Sequence, residues 1–180
     1  MGSKDIKIEG YWQCYGGLKA QLASPYFWFS FTLAVFVVCF RQYRGLLDRD
    51  VWCDITFSVV PCILVFSMGC YAVFLLMFNN VIFEKLMVSS NRGTVSSYRA
   101  FSASFTHWII IQLESIAFAA IYRIASGSIQ GWTVWQDCIR GFGCFLLIYS
   151  VCTGVAAVKS LYALAATYEV FLERSNEEEK

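Results

Sequence analysis

The sequence predicts an all-α integral membrane protein, a four-helix bundle with both termini in the cytoplasm. Hydrophobic residues make up 58% of the 180 residues and charged residues only 15%. The mean hydropathy is +0.55, which is far more apolar than a soluble domain of this size requires. Four apolar stretches each reach the length of about 20 residues that crosses a hydrocarbon core. The sequence therefore predicts a single four-span transmembrane domain over residues 1–180.

The four predicted spans differ in length and in the positions of proline and glycine. They cover about 20–40, 51–78, 101–123 and 141–165. The first span tolerates Pro25 near its beginning, and it is predicted to be retained because it exceeds a signal-peptide core and lacks a clear cleavage site. The second contains Pro61 and Gly69, which predict a kink, and its helix is expected to continue to Leu86.

The segments outside the spans are short. A cytoplasmic N-terminal tail precedes the first span, an inner loop covers 79–100, and a helical acidic tail covers 166–180. None is long enough to bury a core of its own, so any cytoplasmic activity is expected to come from a partner protein.

The distribution of lysine and arginine predicts the orientation of the chain. Eight of these residues lie on the side of the termini and five on the opposite side. The first group is Lys4, Lys7, Lys19, Lys85, Arg92, Arg99, Arg174 and Lys180, and the second is Arg41, Arg44, Arg49, Arg123 and Arg140. This excess predicts cytoplasmic termini.

The third span carries three intramembrane polar residues, His107, Gln112 and Glu114. A charged side chain at bilayer depth costs roughly 3 kcal/mol on insertion scales, so it normally faces protein or water. His107 and Glu114 are seven positions apart, on one helical face and about 10 Å apart along the axis. One interpretation is a proton or ion relay, or a sensor. The other is polar contact between helices, to which Gln112 adds an interhelical hydrogen bond.

Charged residues also gather at the predicted outer ends of the spans. This outer cluster consists of Asp54, Arg123, Asp137 and Arg140, and ion pairs are expected among them. One interpretation is that these residues form an external gate. The other is structural: charged residues lie at the ends of spans because water is available there. Cys53 and Cys138 lie on the same side, and a disulfide between them is one possibility if that side is oxidising.

Small residues recur at helical spacing in the last two spans. Ser115 with Ala119, and Ala156, Ser160 and Ala163 with Thr167, are spaced for close approach of helix backbones. The spacing predicts tight packing, either within the chain or between copies.

Several functional classes are disfavoured. With one histidine, the chain cannot form a bis-histidine haem site, and it has no histidine–carboxylate set for a catalytic metal. No nucleophile or phosphate-binding motif is present, so we expect no enzymatic activity, no cofactor and no metal. The net charge of +1 without a basic block also argues against direct nucleic-acid binding.

Two segments of the sequence carry a family resemblance. Residues 66–74, FSMGCYAVF, are followed by the inner loop and by ASFTHW at 103–108, which leads to Gln112. This pattern, over about residues 60–125, resembles KwaA, the membrane subunit of the Kiwa anti-phage defence system. The resemblance implies a multi-pass homo-oligomer in the bacterial inner (plasma) membrane. It also implies that this oligomer senses phage attachment or membrane disturbance and couples it to a cytoplasmic effector resembling KwaB, which acts on phage DNA.

The first functional hypothesis is therefore a non-enzymatic, oligomeric membrane subunit that transmits a signal to a cytoplasmic effector. Its predicted docking residues lie in the inner loop and the tail: Phe83, Glu84, Lys85, Arg92, Arg99, Glu169, Glu173 and Arg174. The alternative is a small ion channel or transporter in which Glu114 and His107 line a polar path.

Overall fold

The described part of the chain is helical. The computed structural model describes residues 11–44, 51–77, 97–126 and 133–178. Within these ranges there are six helices and no strands, which confirms the predicted all-α fold there. The helices are α1 (Tyr11–Tyr15), α2 (Gly17–Ala23), α3 (Pro25–Arg44), α4 (Val51–Met77), α5 (Ser97–Ser126) and α6 (Thr133–Glu178).

Three helices are long and apolar enough to cross a membrane. The qualifying segments are Val51–Leu76 in α4, Phe101–Ser126 in α5 and Asp137–Ala163 in α6. Helix α2 and residues 25–40 of α3 are also long and apolar enough when taken together, but they are bent by 63° relative to each other. If this bent pair is one broken span, the protein has four candidate spans. Length and composition thus support a membrane protein with three or four spans.

The break before α3 revises the predicted first span. Ser24 is extended, with φ −71° and ψ 127°, and Pro25 is the first residue of α3. The residue before a proline disfavours the helical conformation, because the proline ring clashes with its backbone. Pro25 therefore starts a new helix instead of lying inside one that begins near Ala20.

The helices form a three-helix core with α3 beside it. Helices α4, α5 and α6 pack against one another, α3 packs chiefly against α6, and α1 packs against α5. The described helices therefore form a bundle, and the finer prediction of a membrane four-helix bundle stays a prediction.

The core has an apolar cluster toward each end. The first contains Trp52, Cys53, Val60, Ala119, Tyr122 and Leu147, and the second contains Cys70, Phe105 and Ala157. Between them lies a layer of buried polar residues, which is described below.

Small residues allow α4 and α6 to approach closely. A Cβ atom added to Gly143 would lie 2.5 Å from the Trp52 ring, and one added to Gly154 would lie 2.6 Å from Ile63 Cγ2. Of the predicted small-residue stripes, Ser115, Ala119 and Ala156 are buried. Ser160 is half-buried and Ala163 is exposed. Gly143 and Gly154, which the predicted stripes did not include, therefore also allow close approach of these helices.

Helices α4 and α6 are both continuous. Helix α4 runs from Val51 to Met77 with Pro61 inside it, and its predicted extension to Leu86 lies outside the described residues. Helix α6 has 46 residues and includes the predicted helical tail as far as Glu178. At 1.5 Å per residue it is about 69 Å long, more than twice the thickness of a hydrocarbon core.

Candidate functional site

A buried polar layer joins the three core helices near the middle of the spans. Gln112 Nε2 on α5 donates a hydrogen bond to Ser67 Oγ on α4 at 3.0 Å and a longer one to Thr153 Oγ1 on α6 at 3.5 Å. All three side chains are at most 2% exposed. Thr153 in turn donates to the Ser150 carbonyl oxygen at 2.7 Å. Gln112 therefore makes the kind of interhelical hydrogen bond that the sequence predicted.

Some polar atoms on the inner face of α5 are left without partners. Among the described residues, His107 Nδ1, Gln112 Oε1 and Ser115 Oγ are buried and accept or donate no hydrogen bond. A buried polar atom without a partner costs about 1–3 kcal/mol. A change in helix packing that supplied partners to these atoms would recover part of that cost.

Replacing Gln112 with leucine is expected to weaken the polar layer. The substitution removes the donor to Ser67 and Thr153, and interhelical hydrogen bonds in membranes contribute about 0.6–1.7 kcal/mol. The expected result is a lower midpoint of thermal unfolding in detergent. Ser58→Ala is the control, because Ser58 is exposed and, among the described residues, its hydroxyl donates only to carbonyl oxygens of its own helix. Equal stability of Gln112→Leu and the wild type would contradict a stabilising role for this layer.

His107 lies in a second polar arrangement, which we call the His107 junction: Trp12, Tyr15, Gln21, His107 and Tyr149. The Tyr15 ring stacks on the imidazole with centroids 4.1 Å apart, and Trp12 lies 6.1 Å away. The Tyr149 hydroxyl is 3.5 Å from His107 Nε2 and also hydrogen-bonds with Tyr15 and Gln21. The junction thus connects the N-terminal segment to the interior of α5 and α6.

Two glycines shape the N-terminal side of this junction. Gly16 has φ 96° and Gly17 has φ 64°, conformations that glycine adopts without steric cost. They separate α1 from α2 and allow α1 to pack along α5. Burial raises the pKa of the Tyr15 phenol, while its hydrogen bond with Tyr149 acts in the opposite direction. Tyr15 is therefore neutral at physiological pH.

Glu114 lies in a different environment from His107. Its side chain is exposed, and it lines an open groove of about 830 Å³ between α3 and α5. His107 is only 2% exposed and does not line this groove. Although the two residues share a helical face, α1 covers α5 at His107. Of the His107 junction, Tyr149 and Gln21 also line the groove.

The four residues of the outer cluster form two ion pairs at one end of the core. Arg123 Nη1 lies 3.2 Å from Asp54 Oδ1, and Arg140 Nη1 lies 3.3 Å from Asp137 Oδ1. The first pair is exposed, and such pairs contribute about 0–1 kcal/mol. Arg140 Nε also donates to the Tyr122 hydroxyl at 2.9 Å, which connects α5 to α6.

Cys53 and Cys138 do not form a disulfide. Both are free thiols. Cys53 is fully buried, and its Sγ lies 3.9 Å from the Ala119 carbonyl oxygen on α5. Cys138 is exposed at the groove. The alternative of a disulfide is therefore wrong for this structure, because α4 turns Cys53 into the core.

The structure describes the side chain of only one of the eight predicted docking residues, Glu169. Phe83, Glu84, Lys85 and Arg92 lie outside the described residues. Arg99, Glu173 and Arg174 belong to helices whose side chains are not described at those positions, and Glu169 is exposed on α6. These assignments stay predictions.

Comparisons with protein-family models, with curated proteins and with solved structures find no match. The resemblance to KwaA therefore depends on the two sequence segments alone. Within the described helices, no group of three or more His, Cys, Asp or Glu side chains is placed to hold a metal ion.

The sequence does not predict that Trp12, Tyr15 and Tyr149 contact His107. It also does not predict the groove that Glu114 lines. The signals available were the Gly16–Gly17 pair after an aromatic segment and the recurring aromatic residues in the first and fourth spans.

Proposed function

We propose that this chain is a non-enzymatic subunit of an oligomeric complex in the bacterial inner membrane. It senses a membrane disturbance such as phage attachment and transmits it to a cytoplasmic effector protein, of the kind that the KwaA resemblance implies. The observation that carries the proposal is the length of α6, which continues without a break from the membrane core into the C-terminal tail.

The continuous helix supplies a route for the signal. The candidate span in α6 ends at Ala163, and the helix continues to Glu178, about 22 Å farther. Because a helix moves as a rigid element over such a distance, a shift or rotation within the core displaces the tail. Glu169 lies on this extension.

The polar layer provides a reason for the core to have two packings. Thr153 belongs to both the layer and α6, so a rearrangement around Gln112 changes the position of α6 directly. Unpartnered polar atoms on α5 lower the cost of such a rearrangement. A membrane event needs only to favour one packing over the other.

Oligomerisation and orientation complete the proposal. Only 22% of the apolar window in α4 is buried within one chain, which leaves a broad face for lipid or another copy. The excess of lysine and arginine on the terminal side supports a cytoplasmic tail, which an effector could reach.

Charge reversal in the tail tests the proposal. A tagged chain is extracted in mild detergent from its native cells, and the copurifying proteins and the mass of the assembly are determined. The expected result is a soluble partner that copurifies in a stoichiometric amount. The double variant Glu169→Lys with Glu173→Lys is expected to reduce the amount of copurifying partner about tenfold or more, while membrane insertion is unchanged. Asp54→Lys, a charge reversal at the opposite end of the core, is the control and should retain the partner. Purification of a homo-oligomer without any partner would contradict the coupling function.

A small channel or transporter is the second candidate function. It is favoured by the position of Glu114, which faces the groove within about one residue of the midpoint of the span Phe101–Ser126. Glu114→Gln is then expected to abolish flux in liposomes. The sequence predicts a path lined by Glu114 and His107, but His107 does not line this groove, so a path along the groove would pass Glu114 and Tyr149.

A further inference from the structure

The groove has the dimensions and walls of a small-molecule site. Its volume of about 830 Å³ lies within the range of about 300–1,000 Å³ that is usual for ligand pockets. Residues of α2, α3, α5 and α6 line it, and most of them belong to α3 and α6. Apolar and aromatic side chains supply most of its surface, and the groove is open to the surroundings of the bundle.

Glu114 gives the groove an acidic side chain that forms no ion pair with any described residue. Among the described residues, Glu114 has no ion pair or hydrogen bond. The other acidic residue of the groove, Asp137, is paired with Arg140. The described residues that line the groove include no lysine or arginine. About 12 residues separate Glu114 from either end of the span, which places it roughly 18 Å from each end.

Aromatic rings of α3 and α6 line the same groove as Glu114. Phe27, Phe31, Phe145 and Tyr149 all line it. Phe145 stacks on Tyr149 at 5.7 Å, and Phe27 meets Phe145 edge to face at 5.4 Å. Such rings attract organic cations through their faces, and the attraction strengthens when the cation is desolvated.

We propose that the groove binds a monovalent organic cation with a large apolar body, whose charge pairs with Glu114. A carboxylate at this depth is costly unless a cation accompanies it. An inorganic cation would require several oxygen ligands, whereas Glu114 is the one carboxylate without an ion pair among the described residues that line the groove. The apolar walls accommodate the body of an organic cation directly.

A second copy of the chain is a poorer occupant for the groove. To pair with Glu114 it would have to present a cation near the middle of a span. In the candidate spans of the described residues, Arg123, Arg140 and Lys159 lie near the ends. An acyl chain alone would fill the apolar walls but leave the carboxylate unpaired.

This site is independent of the signalling function, because it concerns the groove and not the tail. The probe is tetraphenylphosphonium, and its binding to the purified chain is measured in nanodiscs by equilibrium dialysis with radiolabel. Tetraphenylborate has the same size and shape and the opposite charge. The expected result is saturable binding of the cation only, weakened about tenfold or more by Glu114→Gln.

Two further variants make the test specific. Asp54→Asn removes an acidic group outside the groove and is expected to leave binding within about twofold of the wild type. Val35→Trp fills the groove from α3 while retaining Glu114, and it is expected to abolish binding; Val35 is exposed, so folding should be preserved. Size-exclusion profiles check that all variants are intact.

Three outcomes would overturn the proposal: no saturable binding, equal binding of the cation and the anion, or binding that Glu114→Gln leaves unchanged. None of them alters the tail-reversal result, so failure of the site and failure of the coupling function are distinguishable.

Discussion

Replacing Tyr15 with alanine is expected to release α1 from α5. The substitution removes the ring that stacks on His107 at 4.1 Å and the hydroxyl that bonds with Tyr149. Loss of a fully buried aromatic side chain costs about 3–5 kcal/mol, and Tyr15 is half-buried, so we expect the free energy of local opening to fall by about 2 kcal/mol. That corresponds to roughly thirtyfold faster hydrogen exchange of residues 11–23 in nanodiscs.

Two comparisons separate the junction from a general loss of stability. Tyr162→Ala removes an aromatic ring that is 76% exposed on α6, and exchange of residues 11–23 should not change. His107→Ala removes the other half of the stack and should produce an effect similar to that of Tyr15→Ala, with little further loss in the double variant. Unchanged exchange in both single variants would show that the junction does not hold α1 in place.

Replacing Gly143 with alanine is expected to destabilise the core by about 1–3 kcal/mol. The new Cβ would lie 2.5–2.8 Å from three atoms of the Trp52 ring. That ring cannot easily move aside, because it is buried and packs against Phe118 and Tyr122. The helices α4 and α6 would have to separate, and the measurement is the midpoint of thermal unfolding in detergent.

Gly69→Ala is the matched control for this effect. Gly69 also lies inside an apolar helix, but no atom of the described residues lies within 4 Å of a Cβ added there. The change is expected to be neutral or to stabilise by up to about 1 kcal/mol, because alanine favours the helix over glycine. If Gly143→Ala and Gly69→Ala unfolded at the same midpoint, the close approach of α4 and α6 at Trp52 would be refuted.

The sequence determined the helical segments and part of the polar chemistry. Three apolar spans follow from length and composition alone, because a bilayer imposes a minimum length on any helix that crosses it. The hydrogen bond of Gln112 was also predictable, because a buried amide in such a helix needs a partner. The gathering of Asp54, Arg123, Asp137 and Arg140 at one end followed from the alternation of span directions.

Only the tertiary structure decided which faces of these helices are covered. His107 and Glu114 share a face of α5, yet α1 covers the first and leaves the second open to the groove. That difference depends on Gly16 and Gly17, which lie about 90 residues earlier and allow α1 to pack along α5. Periodicity specifies the direction of a side chain from its own helix axis. The burial of that side chain depends on packing between distant segments, which no local pattern encodes.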